Sequence, residues 1–249
     1  MISQGFFLLL FIFLFIQTES KGNDELGYPV RLFLDFDPLV ALTTLLASHA
    51  LPTAFLLSLI AIVLTIALGR VFCGWACPLG TMNNIVGSFP KHPQAVMPRT
   101  WRRFKYYLEI FLVVSSLFKL QLAGIMDPLA LTIRSFSVSI YPLCNYSVRA
   151  IFDAAYTANP LGISVISEPV YDVLKKTLLS FTQPFYRQGL FVGLLFLLIL
   201  GLNLWERRFW CKFICPLGAL LGVLSRYSLL QRHLSEGCQS CGLCSNVCQ

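Results

Sequence analysis

Arg70-Val-Phe-Cys-Gly-Trp-Ala-Cys-Pro-Leu-Gly80 occurs a second time in the chain, as Arg208-Phe-Trp-Cys-Lys-Phe-Ile-Cys-Pro-Leu-Gly218. The offset is 138 residues throughout, and each copy follows a long apolar run. Proline disfavours a helical conformation for the residue before it, so Cys77 and Cys215 are predicted to sit in a turn that opens a new helix. An Asp-Pro-Leu triplet stands upstream of each copy, at Asp37 and at Asp127. There the carboxylate can cap a short interfacial helix whose first position is proline. The chain therefore reads as two parallel repeats, with about 48 extra residues in the second, around 140–188. The symmetry axis of such a repeat would run along a membrane normal and bring both cysteine motifs to one face.

Outward from the motifs lie apolar runs: Phe6 to Ile16, Pro52 to Gly69, Tyr106 to Leu122 and Gly189 to Trp205. The first fits a signal-peptide core or a short retained helix. It lacks a preceding Lys or Arg and a following A-x-A-like site, which leans toward retention. Glu109 and Lys119 lie near opposite ends of the third run, where they can reach an interface. The chain is 56% hydrophobic and 12% charged, far from the roughly 25% charged content of soluble domains. The expected fold is all-α and integral to a membrane, with about four transmembrane helices.

Charge placement sets the expected orientation. Residues 70–105 and 206–249 together hold eleven Lys or Arg against two Asp or Glu, which by the positive-inside rule places them in the cytoplasm. Residues 21–50, with two basic and four acidic side chains, would lie outside. The expected location is the inner (cytoplasmic) membrane, multi-pass, with the cysteine motifs on the cytoplasmic side and membrane lipid as a partner. The formal charge of +7 is not read as a nucleic-acid signal, because no recognition motif accompanies it.

Eight of the nine cysteines lie in tight motifs. Cys238, Cys241, Cys244 and Cys248 form a C-x2-C-x2-C-x3-C run, the spacing of bacterial ferredoxins without the proline that follows the fourth cysteine. This spacing predicts a [4Fe–4S] cluster. A structural zinc site is the weaker alternative, since zinc usually uses two separated pairs. In two-cluster ferredoxins the fourth cysteine serves the other cluster. Cys248 therefore either closes its own cluster or ligates another one whose remaining ligands would lie beyond Gln249, as in a truncated chain.

Cys73, Cys77, Cys211 and Cys215 are the second candidate set, as ligands of one four-thiolate site for iron–sulfur or another soft metal. A dithiol pair cycling to disulfide competes with this reading. Arg70 and Arg208 can stabilise thiolates or an anionic cluster, but membrane anchoring is the favoured role at this stage. Cys144 is read as a packed free thiol. The only histidines, His49, His92 and His233, do not lie mid-run, so a bis-His haem within the apolar runs cannot be built.

These motifs resemble the polyferredoxin-like 4Fe–4S membrane proteins. That family includes the quinol-dehydrogenase membrane subunit of periplasmic nitrate reductase systems, the nitrous-oxide reductase maturation and electron-donor protein, and accessory proteins of cytochrome oxidase assembly. The resemblance covers the chain from about Asp37 onward, and the second ferredoxin run usual in the family is absent here. It implies at least one 4Fe–4S cluster, and electron transfer between a quinol pool or cytoplasmic donor and a redox partner protein. The competing expectation is a maturation factor that reduces or delivers a metal ion to another metalloenzyme. The predicted division is a hydrophobic N-terminal segment and loop (1–36), a first membrane repeat (37–105), a second with an outside insertion (106–230) and a ferredoxin-type segment (231–249).

Overall fold

The computed structural model describes residues 2–18, 30–49, 55–89, 99–158 and 188–230. These residues form helices and short connections. The first half contributes α1 (Ile2–Gln17), α2 (Arg31–Asp35), α3 (Pro38–Ser48), α4 (Phe55–Leu68) and α5 (Pro78–Val86). The second contributes α6 (Phe104–Leu117), α7 (Ala123–Met126), α8 (Pro128–Ser135), α9 (Tyr141–Ala158), α10 (Gly189–Gly201), α11 (Phe209–Phe213) and α12 (Pro216–Leu224). One-turn π-helices cover Phe72–Ala76 and Phe136–Ile140.

Four helices start alike. In α3, α5, α8 and α12 proline holds the first position, its missing N–H costing nothing there, and the residue before it caps the helix. Asp37 accepts from the N–H groups of Leu39 and Val40, and Asp127 from those of Leu129 and Ala130. Cys77 and Cys215 take the same place with sulfur as acceptor, from Gly80 N at 3.4 Å and Gly218 N at 3.2 Å. The leucine after each proline, Leu39, Leu79, Leu129 or Leu217, is at most 1% exposed. Burying each such side chain contributes about 1.5–3 kcal/mol.

The packing repeats with the sequence. α1 lies on α5 as α6 lies on α12, and α3 lies on α4 as α8 lies on α10. Across the halves, α5 packs on α8 and α12 packs on α3. An aromatic cluster ties α1 to the second half: Phe11, fully buried, meets Phe33 and Phe136 edge-on at 5.5 and 5.6 Å, and Phe136 meets Phe196 at 6.2 Å. Such edge-on pairs each add about 0.5–1.5 kcal/mol beyond burial. Gly189 is required where α10 begins, because a Cβ there would fall 2.6 Å from the Val138 carbonyl oxygen.

The expected membrane-crossing fold is corrected. Among the described residues no helix is long and apolar enough to cross a membrane. The four apolar runs become helices of 16, 14, 14 and 13 residues, about 20–24 Å at 1.5 Å per residue, against a hydrocarbon core of about 30 Å. The third and fourth runs are cut short by local backbone chemistry, whereas the second ends at its expected glycine. Gly69 (φ +83°) closes α4 and Lys119 (φ +63°) follows the end of α6. α10 passes into a 3-10 turn in which the amide of Asn203 bonds the Ile199 and Leu200 carbonyls. The longest helix, α9, has 18 residues and carries Arg149 and Asp153. Cys144 on α9 is free, as expected, but exposed instead of packed.

Candidate functional site

The two repeated cysteine pairs come to one place. Cys73, Cys77, Cys211 and Cys215 line a single cavity of about 820 Å³. Each half delivers its pair in the same way: one cysteine on the short helix before the proline turn, the other as the cap of the next helix. The helix N-termini of α5 and α12 thereby direct positive dipole ends and N–H groups at the sulfurs of Cys77 and Cys215. The local structures differ in one respect. Phe72–Ala76 is a π-turn, whereas Phe209–Phe213 is α-helical and entered through Arg208 in the left-handed region, at φ +56°.

The walls are cationic. Arg70, Arg102, Lys105, Arg208 and Lys212 line the cavity, and among the described residues no Asp or Glu does. Lys212 is paired with Glu206 at 3.2 Å, and Arg70 Nε donates to Ser225 Oγ at 3.1 Å. The Nε donors of Arg102 and Arg208 are buried and meet no acceptor among the described residues. Arg70 and Arg208 therefore both stand on the cavity wall. Both Asp-Pro-Leu helices also begin near this cavity, since Pro128 lines it and the charge of Asp37 is felt at Cys73.

Burial pushes the Cys73 thiol up to about 12, with the neighbouring Cys211 adding to the rise and Arg70 opposing it. Cys77 and Cys215 are held well above the ordinary thiol range, first by burial and then by Cys211. Cys211 is also raised by burial, but the Asn83 amide and Arg208 hold it back. Burial thus favours the neutral thiols, and ligation of a cationic centre displaces their protons.

Two buried amides support Cys211. Asn83 Nδ2 lies 3.8 Å from Cys211 Sγ, and Asn203 Nδ2 donates to Asn83 Oδ1 at 2.8 Å. Sequence reading passed over both. The available signal was asymmetry in the repeat: 138 residues on, Asn83 corresponds to Leu221, and 138 residues back, Asn203 corresponds to Thr65. All four positions are buried, so an amide where the other half has leucine or threonine marks a task beyond packing.

The donor set fits an anionic thiolate-ligated cluster: four sulfurs, cationic walls, and two buried guanidinium donors. Among the described residues no group of three or more Cys, His, Asp or Glu is drawn together as a single metal ion would require. Four thiolates on one ion would each need to approach it to about 2.3 Å. The predicted ligands Cys238, Cys241, Cys244 and Cys248 lie outside the described residues.

Comparison with known proteins bears on the same motifs. Residues 50–103 and 187–235 match the 4Fe-4S binding domain family. Those stretches contain both C-x3-C-P-L-G motifs and end before Cys238. The putative electron transport protein YccM of Escherichia coli is 27% identical over 240 residues, 93% of this chain and 55% of that protein. MauN of Methylobacillus flagellatus, a methylamine utilization ferredoxin-type protein, is 26% identical over 85% of this chain and 60% of its own length. The regulatory protein NosR of Stutzerimonas stutzeri is 25% identical over 80% of this chain and 22% of itself. The chain spans a little over half the length of the first of these relatives. No solved structure matches. Residues 50–103 and 187–235 are thus similar to the 4Fe-4S binding domain family, and this similarity, with that to a ferredoxin-type protein, supports a 4Fe–4S cluster as the cofactor.

Proposed function

We propose that the chain is an iron–sulfur electron-transfer protein in which Cys73, Cys77, Cys211 and Cys215 hold a cluster between the two halves, passing electrons from a reduced donor such as a quinol to a redox partner protein. The observation that carries this reading is the convergence of both cysteine pairs on one cavity with cationic walls. When bound, the cluster supplies one-electron transfer. The chain's own residues set its surroundings: the N–H groups of Gly80 and Gly218 and the amide of Asn83 donate to sulfur, and Arg70, Arg102 and Arg208 offset negative charge. Hydrogen bonds to ligating sulfur and nearby cations both tune a cluster's potential. Cys238, Cys241, Cys244 and Cys248 would hold a second centre.

The test is iron and acid-labile sulfide content, with EPR of the reduced protein, in Cys73→Ser/Cys211→Ser and separately in Cys241→Ser. Each change is expected to remove a different signal. An unchanged spectrum and full iron content in Cys73→Ser/Cys211→Ser would show that the cavity holds no cluster. A second reading, a factor that reduces or hands over a soft metal ion, draws on the same four thiols and on similarity to a protein named as regulatory. It gains if that double variant keeps its clusters but no longer takes up copper.

A further inference from the structure

Asp37 and Asp127 are both fully buried, and each opens the helix of its own half. One oxygen of each is committed to helix capping: Asp37 Oδ1 to Leu39 and Val40, and Asp127 Oδ2 to Leu129 and Ala130. The other two, Asp37 Oδ2 and Asp127 Oδ1, are buried without an N–H or O–H donor among the described residues. What each carboxyl meets is the other, in hydrogen-bonding contact. Two carboxylate oxygens can only accept, so a bond between them requires a proton on one.

We propose that Asp37 and Asp127 together form a binding site for one proton, an acid–carboxylate pair closed across the two halves beside the cysteine cavity. Burial is the main reason that both carboxyls hold a proton to higher pH than usual. The contact places one proton between the two carboxyls, held by the pair and not by either residue alone. The two oxygens titrate as one unit. Titratable groups on the elements packed around them are Asp35 on α2, Arg134 on α8, Lys105 and Glu109 on α6, and His49 at the end of α3. Cys73 feels the charge of Asp37, and Cys77 that of Asp127.

The ligand is the proton itself, and its effect is electrostatic. With one proton bound, the pair presents a single negative charge to the sulfurs instead of two, and the two helix starts are held together instead of repelled. The site is not visible in either Asp-Pro-Leu triplet alone, because each reads as an ordinary capped helix start. Only their meeting makes it.

The test is infrared difference spectroscopy of the full chain at about pH 7 in a Glu109→Gln background, which removes the other carboxyl among the described residues that holds a proton near neutrality. A protonated-carboxyl C=O band is expected, and it should vanish in Asp37→Asn/Asp127→Asn. Absence of the band in the background protein, or its persistence in the double variant, overturns the proposal. Thermal melting is the second arm. As the pH rises from about 6 to about 9 the Glu109→Gln protein should lose melting temperature more steeply than the same protein with Asp37→Asn, in which an amide N–H replaces the acid proton as donor to Asp127. An equal pH dependence in the two would overturn the shared-proton site, since a capping role alone is served by asparagine at every pH.

Discussion

Asn83 Nδ2 stands 3.8 Å from Cys211 Sγ, so a side chain of the first half donates to a cysteine of the second. The amide is held in place by Asn203, whose Nδ2 donates to Asn83 Oδ1 at 2.8 Å. Asn83→Leu, the residue that the repeat places at Leu221, should therefore do two things. It removes the donor to sulfur, so the potential of a cluster at Cys211 should fall. It also takes from the Asn203 amide one of three acceptors, the Ile199 and Leu200 carbonyls remaining, at a cost of about 1 kcal/mol. A redox titration followed by EPR reads the first effect and denaturant unfolding the second. A lower stability with an unmoved potential would reduce Asn83 to a packing residue.

Glu109 on α6 has its carboxyl raised by burial to about 7, with Lys105 opposing the rise. A folded-state value above the ordinary 4.5 means that the folded chain holds this proton more tightly than the unfolded one. The stabilisation is thus complete below about pH 4.5 and is lost as the pH rises through about 7. Water reaches this side chain, so the change is kept to about 1 kcal/mol. Unfolding curves of Glu109→Gln at pH 5 and pH 8 should differ less than those of the parent. An equal pH dependence in both proteins would exclude Glu109 as its source.

Much of the site was legible because its chemistry is local. Cys77 and Cys215 were expected in turns before new helices, and Asp37 and Asp127 as caps, and all four are N-caps followed by proline. The rule involved spans two or three residues and needs no tertiary partner. Helix length was not legible in the same way. The run from Tyr106 to Leu122 is apolar throughout its centre, yet α6 stops at Leu117, and Lys119 adopts a left-handed backbone. Hydropathy measures how apolar a stretch is and carries no record of where its backbone turns. The pairings of Asp37 with Asp127 and of Asn83 with Asn203 were equally out of reach, since each depends on how two distant helices meet.

Arg208 joins a backbone cost to an electrostatic gain. Its φ of +56° is a conformation that L-residues other than glycine and asparagine adopt reluctantly, at about 1–2 kcal/mol. Its side chain lines the cysteine cavity, and its Nε is buried without an acceptor among the described residues. Arg208→Gly should relieve the backbone and remove the cation. The melting temperature is expected to hold or rise while the cluster potential falls, because the reduced, more negative state loses a neighbouring positive charge. A fall in both would mean that Arg208 serves mainly to hold α11 in place.

Gly80 and Gly218 are equivalent in the repeat, and each donates its N–H to the sulfur of the preceding cap. Their surroundings differ. A Cβ on Gly80 would lie 3.0 Å from the Cys73 carbonyl oxygen, whereas the nearest atoms to one on Gly218 are 3.5 Å away. The first is a compressed contact against backbone, and relieving it must shift the π-turn that carries Cys73. The second is ordinary van der Waals distance. Gly80→Ala should therefore lose about 1–3 kcal/mol of stability, together with iron at the cavity, while Gly218→Ala keeps most of both. Iron content per chain and thermal melting of the two variants decide this. Equal losses would mean that the 3.0 Å approach to the Cys73 carbonyl is relieved at no extra cost and that the π-turn of the first half sets no constraint of its own.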